Sequence, residues 1–327
     1  MKERRGEASE ADSAWVSRSE RGSHLALASA AWCFRRLGPG PLRLLIPPIA
    51  AYYTLFAGSA RRASRAYLAQ LDRARGVSPA ARSPWRDAYR HFYSFADLIL
   101  DRFCFWTGAY DDFTVEIHGR EHMERLFESG RSALLVGAHL GSFDVLRVIS
   151  RDAGVRVNVL MFTANAERIN NLFRTLDPGS DVRLIPIDPT SVDSAFVLRR
   201  CLERDEFVAV LSDRVYPGGR SRVASANFLG RPALFPQGPF LLAAVMGLPV
   251  VLSLAIKTGP YRYDVHLETL AEAGRLPAAE RDKAVQERIE AFAAKVGQHC
   301  LTAPYQWFNF YDFWAEAEGA EVDRAER

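Results

Sequence analysis

From residue 113 onward, the sequence alternates short β-type runs with helical stretches, and this alternation is what most constrains the fold. Strands that alternate with helices form a mostly parallel sheet covered by helices on both faces. We therefore predict an α/β fold with a mostly parallel central sheet flanked by helices. The predicted strands are FTVEIHG (113–119), SALLVGA (132–138), VRVNVLMF (155–162), VRLIPI (182–187), FVAVLSD (207–213) and PVVLSLAI (249–256). The helical patterns after the second to fifth strands are SFDVLRVISRD (142–152), NAERINNLFRTL (165–176), SVDSAFVLRRCLER (191–204) and PQGPFLLAAVMG (236–247).

Composition and charge exclude several classes of protein. Apolar residues make up 48% of the 327 residues and charged residues 25%, so the chain can bury a sizeable core and wholesale disorder is excluded. The net charge of +3 is too small to indicate nucleic-acid binding. The four cysteines form no CxxC pair, which argues against a zinc site and favours a reducing compartment. The opening residues hold no apolar run typical of a secretory signal, so we expect the chain to act on the cytoplasmic side.

An uncharged apolar run, LLIPPIAAYYTLFA (44–57), stands out in the first third of the chain. It is shorter than the roughly 20 residues of a bilayer-spanning helix, and it contains two prolines. Eight arginines but one acidic residue lie between Arg35 and Arg75, which favours anionic lipid headgroups or an acidic carrier protein as partners. Two interpretations stay open here: a segment that enters one leaflet of a membrane, or a buried core helix beside a solvated arginine face.

A histidine and an aspartate frame the turn after the second predicted strand. His139 follows SALLVGA, and four residues separate it from Asp144. With Gly141 or Ser142 as the N-cap, Asp144 falls in the first turn of the next helix. A short turn can bring this carboxylate to the imidazole, fix its tautomer and leave the other ring nitrogen free to take a proton from a substrate hydroxyl. Backbone amides at the helix start are suited to a developing oxyanion.

The same pair also fits a purely structural role, because a spacing of this kind occurs by chance. In that interpretation Asp144 caps the helix and His139 is a hydrogen-bonded turn residue. The surroundings of the pair are informative, since the carboxyl ends of parallel strands meet at one rim of the sheet. SDRVY (212–216) follows the fifth predicted strand and is therefore expected on the same rim as His139.

HLGSFD (139–144) resembles the H-x4-D/E motif of the lysophospholipid acyltransferase superfamily. Residues from about 20 to 315 are similar to its late lipid A branch, the lauroyl and myristoyl transferases. Four further segments follow in the order of that branch: NAERINNLFRTL, VLSDRVYPGGR, ANFLGRPALFPQGPFLLA and GLPVVLSLAI. The basic N-terminal region and PYQWFNFYDFW (304–314) resemble, more narrowly, acyltransferases found with aryl polyene or xanthomonadin biosynthesis. The resemblance implies a glycerol-3-phosphate acyltransferase-like fold.

The resemblance also implies roles for individual residues. His139 would be the general base and Asp144 its orienting partner, with no metal and no cofactor beyond the acyl thioester. The residues implied in substrate binding are Gly141, Ser142, Asn170, Arg174, Asp213 and Arg214. Structural alternatives stay open for three of them: Arg174 as a helix cap or solvent-facing residue, Asn170 on an exposed face, and Asp213 paired with Arg214.

These features divide the chain into four predicted parts. They are a disordered polar tail (1–20), a helical membrane-associating region (21–110), an acyltransferase catalytic domain (111–316) and a second polar tail (317–327).

We predict an O-acyltransferase that moves a fatty or polyene acyl group from an acyl carrier protein or coenzyme A thioester to a hydroxyl of a membrane lipid or glycolipid. It would lie on the cytoplasmic face of the inner membrane, as a peripheral, monotopic or single-pass protein. One of these segments is usually acidic in the late lipid A branch. Here it reads SDRVYPGGR and holds fewer aspartates than is common, so the acceptor need not be lipid A. Two other functions stay open: an acyl-thioester or lipid hydrolase, and a catalytically silent membrane-docking scaffold for acyl carrier protein.

The remaining motifs favour no other chemistry. His118 and His122 have helical metal-ligand spacing, but His118 lies where a strand gives way to a turn, which argues against a metal site. YPGGRSR lacks the lysine and hydroxyl of a P-loop, and no G-x-S-x-G elbow occurs. YQWFNFYDFW (305–314) holds seven aromatics in ten residues, which fits either closure of the core or contact with an acyl chain or a bilayer.

Overall fold

The computed structural model of the protein describes residues 34, 36, 38–79, 83–152, 156–162, 183–187, 200, 201, 204, 206–215, 222–315 and 317. Within these ranges the helices are α1 (Pro39–Arg43), α2 (Ile46–Phe56), α3 (Gly58–Ala74), α4 (Pro84–Thr107), α5 (Arg120–Glu128), α6 (Phe143–Asp152), α7 (Gly238–Met246) and α8 (Ala278–Thr302). The strands are β1 (Thr114–His118), β2 (Leu134–Gly137), β3 (Val157–Phe162), β4 (Arg183–Ile187), β5 (Phe207–Leu211), β6 (Val223–Phe228), β7 (Arg231–Pro236), β8 (Val250–Gly259) and β9 (Arg262–Ala271).

Seven of the strands form one mixed sheet in the order β1-β9-β8-β2-β5-β3-β4. Every neighbouring pair is parallel except β8 and β9, which form an antiparallel hairpin. The central strands β2, β5 and β8 are nearly continuous apolar runs, as expected for strands covered on both faces. The predicted α/β class and the mostly parallel sheet with flanking helices are confirmed, and all six predicted strands are present.

Three strands of the structure were not predicted from the sequence. β6 and β7 form a separate hairpin between β5 and α7, where no strand was predicted, whereas the helix predicted over 236–247 is present as α7. Their two-residue loop holds Leu229 and Gly230, both with positive φ, as in the turns that suit hairpins. β9 was missed because its sequence mixes charged and apolar residues and lacks the apolar run of a central strand. The predicted helices over 165–176 and most of 191–204 lie outside the described residues.

The apolar run 44–57 forms α2 and its flanks, and two faces of this helix differ in their surroundings. Ile46, Ala50 and Thr54 face inward and are buried, and α2 packs on α4. The outward strip stays exposed, from 43% for Ile49 to 77% for Leu44. Its members are Leu44, Leu45, Ile49, Tyr52, Tyr53, Leu55 and Phe56. Among the described residues, no helix is long and apolar enough to cross a membrane.

Not all arginines around α2 are available to a partner. Arg43 pairs with Asp97 at 2.5 Å and with Asp101 at 2.6 Å, and Lys257 binds the same two carboxylates. This buried charge cluster, completed by the Tyr263 hydroxyl that donates to Asp101, joins α1, α4, β8 and β9. The predicted field of eight arginines is therefore partly neutralised within the protein.

Arg61 is also committed to the fold. Its guanidinium donates to the carbonyl oxygens of Thr54 and Leu55, which are among the last carbonyls of α2 and have no partner inside the helix. Arg62 and Arg65 lie one and four residues further along α3, and both are exposed.

Candidate active site

His139 lies on the loop between β2 and α6, held against two neighbouring segments. The carbonyl oxygen of His139 accepts from the Phe308 amide at 2.7 Å. The Gly141 amide donates to Gln306 O at 2.9 Å, and the Ser142 amide donates to Ala255 O at 2.8 Å. The loop is thereby fixed on one side by β8 and on the other by the aromatic segment, 304–314.

Gly141 is a glycine for two physical reasons. Its φ is +71°, and a Cβ on it would meet the carbonyl oxygen of Ala255 at 2.0 Å. We expect Gly141→Ala to lower the free energy of unfolding by about 2–4 kcal/mol, because backbone must move to relieve the contact. Urea unfolding measures this change.

Gly238→Ala is the matched control for this substitution. Gly238 opens α7 with ordinary backbone angles, and a Cβ there would meet nothing within 4 Å. Its free energy of unfolding should change by less than about 0.5 kcal/mol. Equal effects of the two substitutions would show that the close approach at Gly141 does not constrain the loop.

The His139 ring pairs with Asp213, not with the aspartate of its own motif. His139 Nδ1 lies 2.7 Å from Asp213 Oδ1, and the His139 amide donates to Asp213 Oδ2 at 2.9 Å. The sheet register explains the meeting: Gly137 of β2 is opposite Leu211 of β5, and each residue of the pair lies two positions further on. The expectation that the two strands bring His139 and the segment that contains Asp213 to one rim is confirmed.

Asp213 is a buried carboxylate with four donors. Besides the two groups of His139, Trp307 Nε1 donates to Oδ2 at 3.0 Å and Asn309 Nδ2 donates to Oδ2 at 2.9 Å. Only 1% of the residue is exposed. An ionised carboxylate only accepts hydrogen bonds, so Nδ1 carries the ring hydrogen and Nε2 keeps its lone pair. Among the described residues, Nε2 has no hydrogen-bond partner, and 24% of the His139 side chain is exposed.

Burial and neighbouring charges set the protonation of this pair. Burial and the Arg214 cation lower the pKa of His139, although Asp213 opposes them, so the ring is neutral at physiological pH. Burial alone would raise the pKa of Asp213, but the His139 ring and Arg214 bring it down to about 2. The result is a neutral imidazole beside a fixed carboxylate, the arrangement of a general base.

The predicted pairing of Asp144 with His139 is wrong in this structure. Asp144 lies in the first turn of α6, as expected, but its carboxylate turns towards α4. Oδ2 accepts from Arg102 Nε at 2.7 Å and Oδ1 accepts from Trp106 Nε1 at 2.6 Å. Neither Arg102 nor Trp106 was anticipated, because both lie about 40 residues upstream on another helix.

The loop amides also differ from the prediction. The amides of Gly141 and Ser142 were expected to be available to substrate, but both donate to backbone carbonyls. They therefore have no hydrogen left for an oxyanion. Arg214 is likewise committed: its Nε donates to Asn309 Oδ1 at 2.6 Å and a terminal nitrogen donates to Phe308 O at 3.0 Å. Asn170 and Arg174 lie outside the described residues.

The aromatic segment is mainly a packing element that holds Asp213. Four of its aromatic side chains are buried in the core: Trp307, Phe308, Phe313 and Trp314. For these four, closure of the core is confirmed over contact with a bilayer. His91 of α4 supports the segment from behind, with its Nε2 2.9 Å from Trp307 O and its Nδ1 2.9 Å from Ser64 Oγ. Burial lowers the pKa of His91 to about 4, against the effect of the Trp307 carbonyl, so this ring is also neutral.

An open cleft of about 940 Å³ borders the His139 loop without including His139 in its lining. Residues of α4, β8, β9, α8 and the aromatic segment form its walls, among them Tyr89, Tyr93, Lys257, His266, His299 and Tyr305. Gln306 separates cleft and loop: its side chain binds the backbone of Lys257, and its carbonyl oxygen accepts from Gly141.

The histidines noted for metal spacing lie on different elements. His118 ends β1, and its imidazole, with carboxylates of Glu116 and Asp264, places ligand atoms within 4.8 Å of one another. His122 lies on α5 and contacts Thr269 instead. The three-residue group is at the edge of the sheet, on β1 and β9, whereas His139 follows the central strand β2.

Comparison with known families decides the assignment. A family model described as bacterial lipid A biosynthesis acyltransferase matches residues 88–315, more than half of the chain. The chain belongs to this family. It is therefore an acyltransferase that acts on lipid, and the acyltransferase match begins inside α4, so it includes Arg102, Asp144, His139 and Asp213.

Two further comparisons do not bear on the acyltransferase assignment. No curated protein shows significant similarity to the chain. Among solved structures, the 1-acyl-sn-glycerophosphate acyltransferase PlsC from Thermotoga maritima is similar, with 14% identity over 78% of this chain and 97% of that chain. The TM-score of 0.35 reflects a loose superposition, so the family membership depends on the sequence match.

Proposed function

We propose that this acyltransferase moves a fatty or polyene acyl group from a thioester to a hydroxyl group of a membrane lipid or glycolipid, with His139 as general base and Asp213 as its orienting partner. The donor would be a thioester of acyl carrier protein or coenzyme A. The single observation that carries the proposal is the 2.7 Å contact between His139 Nδ1 and the buried Asp213, which leaves Nε2 without a partner among the described residues.

The proposed reaction needs one proton carrier. His139 Nε2 takes the proton of the acceptor hydroxyl while the acceptor oxygen attacks the thioester carbonyl. The carbon–sulfur bond then breaks, and the leaving thiolate recovers the proton from the imidazolium. Asp213 favours the imidazolium between these steps because its negative charge is fixed and buried. Arg174, which the family resemblance implies in substrate binding, is the side chain that we propose for the oxyanion.

Lipid analysis tests the proposed function directly. We expect cells that carry the gene to contain a lipid one acyl increment heavier than cells that lack it, and expect a His139→Ala copy not to restore that species. Mass spectrometry of total lipid extracts gives both readouts. Free fatty acid released without an acylated product would support a hydrolase, and restoration by the alanine copy would support the scaffold.

We also propose that the outward strip of α2 contacts the cytoplasmic surface of the inner membrane. Seven apolar side chains are exposed over 44–56, on α2 and the two residues before it, whereas a soluble protein ordinarily exposes such residues singly. Arg62 and Arg65 lie on the next helix and are exposed, so they are suited to anionic headgroups or to an acidic carrier protein. Burial of the strip in one leaflet, with no bilayer-spanning helix among the described residues, corresponds to a monotopic or peripheral attachment.

The double substitution Leu44→Ser with Phe56→Ser tests this contact. The two side chains are 77% and 71% exposed, so the fold should tolerate their loss. We expect vesicle binding to weaken by at least about tenfold, since each removed side chain takes away apolar area that the bilayer would bury. Sedimentation with vesicles containing anionic lipid measures the effect.

A control with Val77→Ser and Val245→Ser removes exposed apolar residues elsewhere, 49% and 44% exposed. This control should bind vesicles as the unmodified protein does. If both double substitutions weakened binding equally, the strip would have no special part in it.

A further inference from the structure

The H-x4-D aspartate, Asp144, does not orient His139 in this structure, and the question is what it orients instead. Its side chain is 8% exposed, and both oxygens accept from α4: one from Arg102 Nε and one from Trp106 Nε1. Two strong donors on a buried carboxylate fix its position. The carboxylate in turn fixes the side chains that it binds.

Arg102 is held on two sides and open on a third. Asp144 binds its Nε at 2.7 Å, and the guanidinium carbon lies 5.7 Å from the centre of the Trp106 ring. The terminal nitrogens of Arg102 have no hydrogen-bond partner in the described part of the chain, and 40% of the side chain is exposed. A guanidinium bound through Nε keeps its terminal N–H groups available as a planar fork.

This fork is connected to the His139 loop through Asp144. Asp144 opens the helix that directly follows the His139 loop, so the two side chains share one rim of the sheet. The Arg102 cation is also close enough to lower the pKa of the His139 ring. Arg214, the other cation near His139, is occupied by Asn309 and Phe308, so it is less suited to a substrate anion.

We propose that Arg102, oriented by Asp144, is an anion subsite that binds a phosphate ester of the substrate. This inference rests on the proposed acyl transfer at His139 and gives its two aspartates separate tasks: Asp213 orients the base and Asp144 orients the phosphate-binding arginine. A planar fork matches phosphate oxygens bidentately. The phosphate has two chemical sources, the phosphopantetheine arm of a thioester donor and a phosphorylated acceptor headgroup.

Binding of two ligand pairs to the full-length protein tests the subsite without any turnover. The pairs are phosphopantetheine with pantetheine, and glycerol 3-phosphate with glycerol. Calorimetry or ligand-observed NMR gives the ratio of affinities within each pair. We expect the phosphorylated member of one pair to bind about tenfold more tightly, as one charge-assisted contact would give. The pair that shows this preference identifies the source.

Three substitutions assign the preference to the fork. Arg102→Gln should remove it, and Asp144→Asn should reduce it because the fork loses its support. Arg86→Gln is the matched control, since Arg86 is an exposed arginine on the same helix and should leave the ratio unchanged. Circular dichroism and the unfolding midpoint show whether the Asp144 variant is folded; Arg102→Gln, at a half-exposed position, provides the test if it is not.

The outcomes separate this inference from the proposed function. A preference of less than about twofold in both pairs, or one that Arg102→Gln leaves intact, would overturn the subsite and show a structural ion pair only. Neither result depends on acyl transfer, so the roles of His139 and Asp213 would stand. Conversely, the protein could prefer the phosphorylated ligand through Arg102 and yet show no transferase activity. That result would support the subsite and contradict the proposed reaction.

Discussion

Replacement of His139 with alanine should reduce acyl transfer by about 10²- to 10⁴-fold while leaving the protein folded. In the described part of the chain, Nε2 of His139 has no hydrogen-bond partner, and loss of the ring removes the proposed acceptor of the hydroxyl proton. The side chain is partly exposed, and the backbone groups of residue 139 keep their hydrogen bonds in the variant. Initial rates with an acyl thioester and a lipid acceptor measure the change.

His122→Ala serves as the matched control for this substitution. The His122 side chain is 26% exposed, close to the 24% of His139, but it lies on α5 and contacts Thr269. We expect its rates to stay within about twofold of the unmodified protein. If the rate of acyl transfer fell by less than about tenfold for His139→Ala, general-base catalysis by this ring would be excluded. His139 would then be a hydrogen-bonded turn residue with a structural role.

Replacement of Asp213 with asparagine should lower the turnover by about 10²- to 10⁴-fold and also change its pH dependence. An amide in this position donates to Nδ1 as readily as it accepts, so the productive tautomer is no longer fixed. Activity requires the neutral ring and falls as pH drops through the pKa of His139, which lies below its usual value. Asp213 raises that pKa, so its loss should move the acid limb to still lower pH.

Asp144→Asn is the comparison that separates the two aspartates. Asp144 is nearly as buried as Asp213, at 6% against 1%, so both substitutions place an amide in a closed polar site. The acid limb should stay in place for Asp144→Asn, because its carboxylate binds Arg102 and Trp106. Rates of acyl transfer by the folded variants between pH 4 and pH 8 show which aspartate sets the pKa of His139. An acid limb that moves for Asp144→Asn but not for Asp213→Asn would reverse the assignment.

The sequence predicted the sheet well because its central strands are buried on both faces and therefore read as apolar runs. It also predicted the position of His139 at the rim of the sheet, since this residue follows such a strand, and its role as general base stays a prediction. It could not predict the partner of His139. Asp144 is near in sequence, whereas Asp213 is 74 positions away and reaches the ring through the register of β2 and β5.

Two kinds of feature escaped the sequence analysis. β9 was missed because an edge-side strand mixes polar and apolar residues, and the β6–β7 hairpin was missed because its turn uses Leu229 at positive φ, where glycine or asparagine is usual. The sequence also held no sign of three side chains that bind the two aspartates, because each is far from its aspartate along the chain. Trp307 and Asn309 bind Asp213, and Arg102 binds Asp144. The aromatic density of residues 305–314 was the one signal that pointed to that segment.

Helix α4 has a consequence for how the protein would work at a lipid surface. Along its 24 residues it packs against α2, supports Trp307 through His91, and holds Asp144 through Arg102 and Trp106 near its far end. A helix of that length is a rod of about 36 Å. In the membrane-bound state that we propose, this rod would lie along the bilayer surface, because Ile46 of α2 shares a core cluster with Leu100 and Tyr53 of α2 contacts Phe92. It would thereby hold the imidazole at a fixed distance from that surface, and only hydroxyls presented at that distance would be acylated.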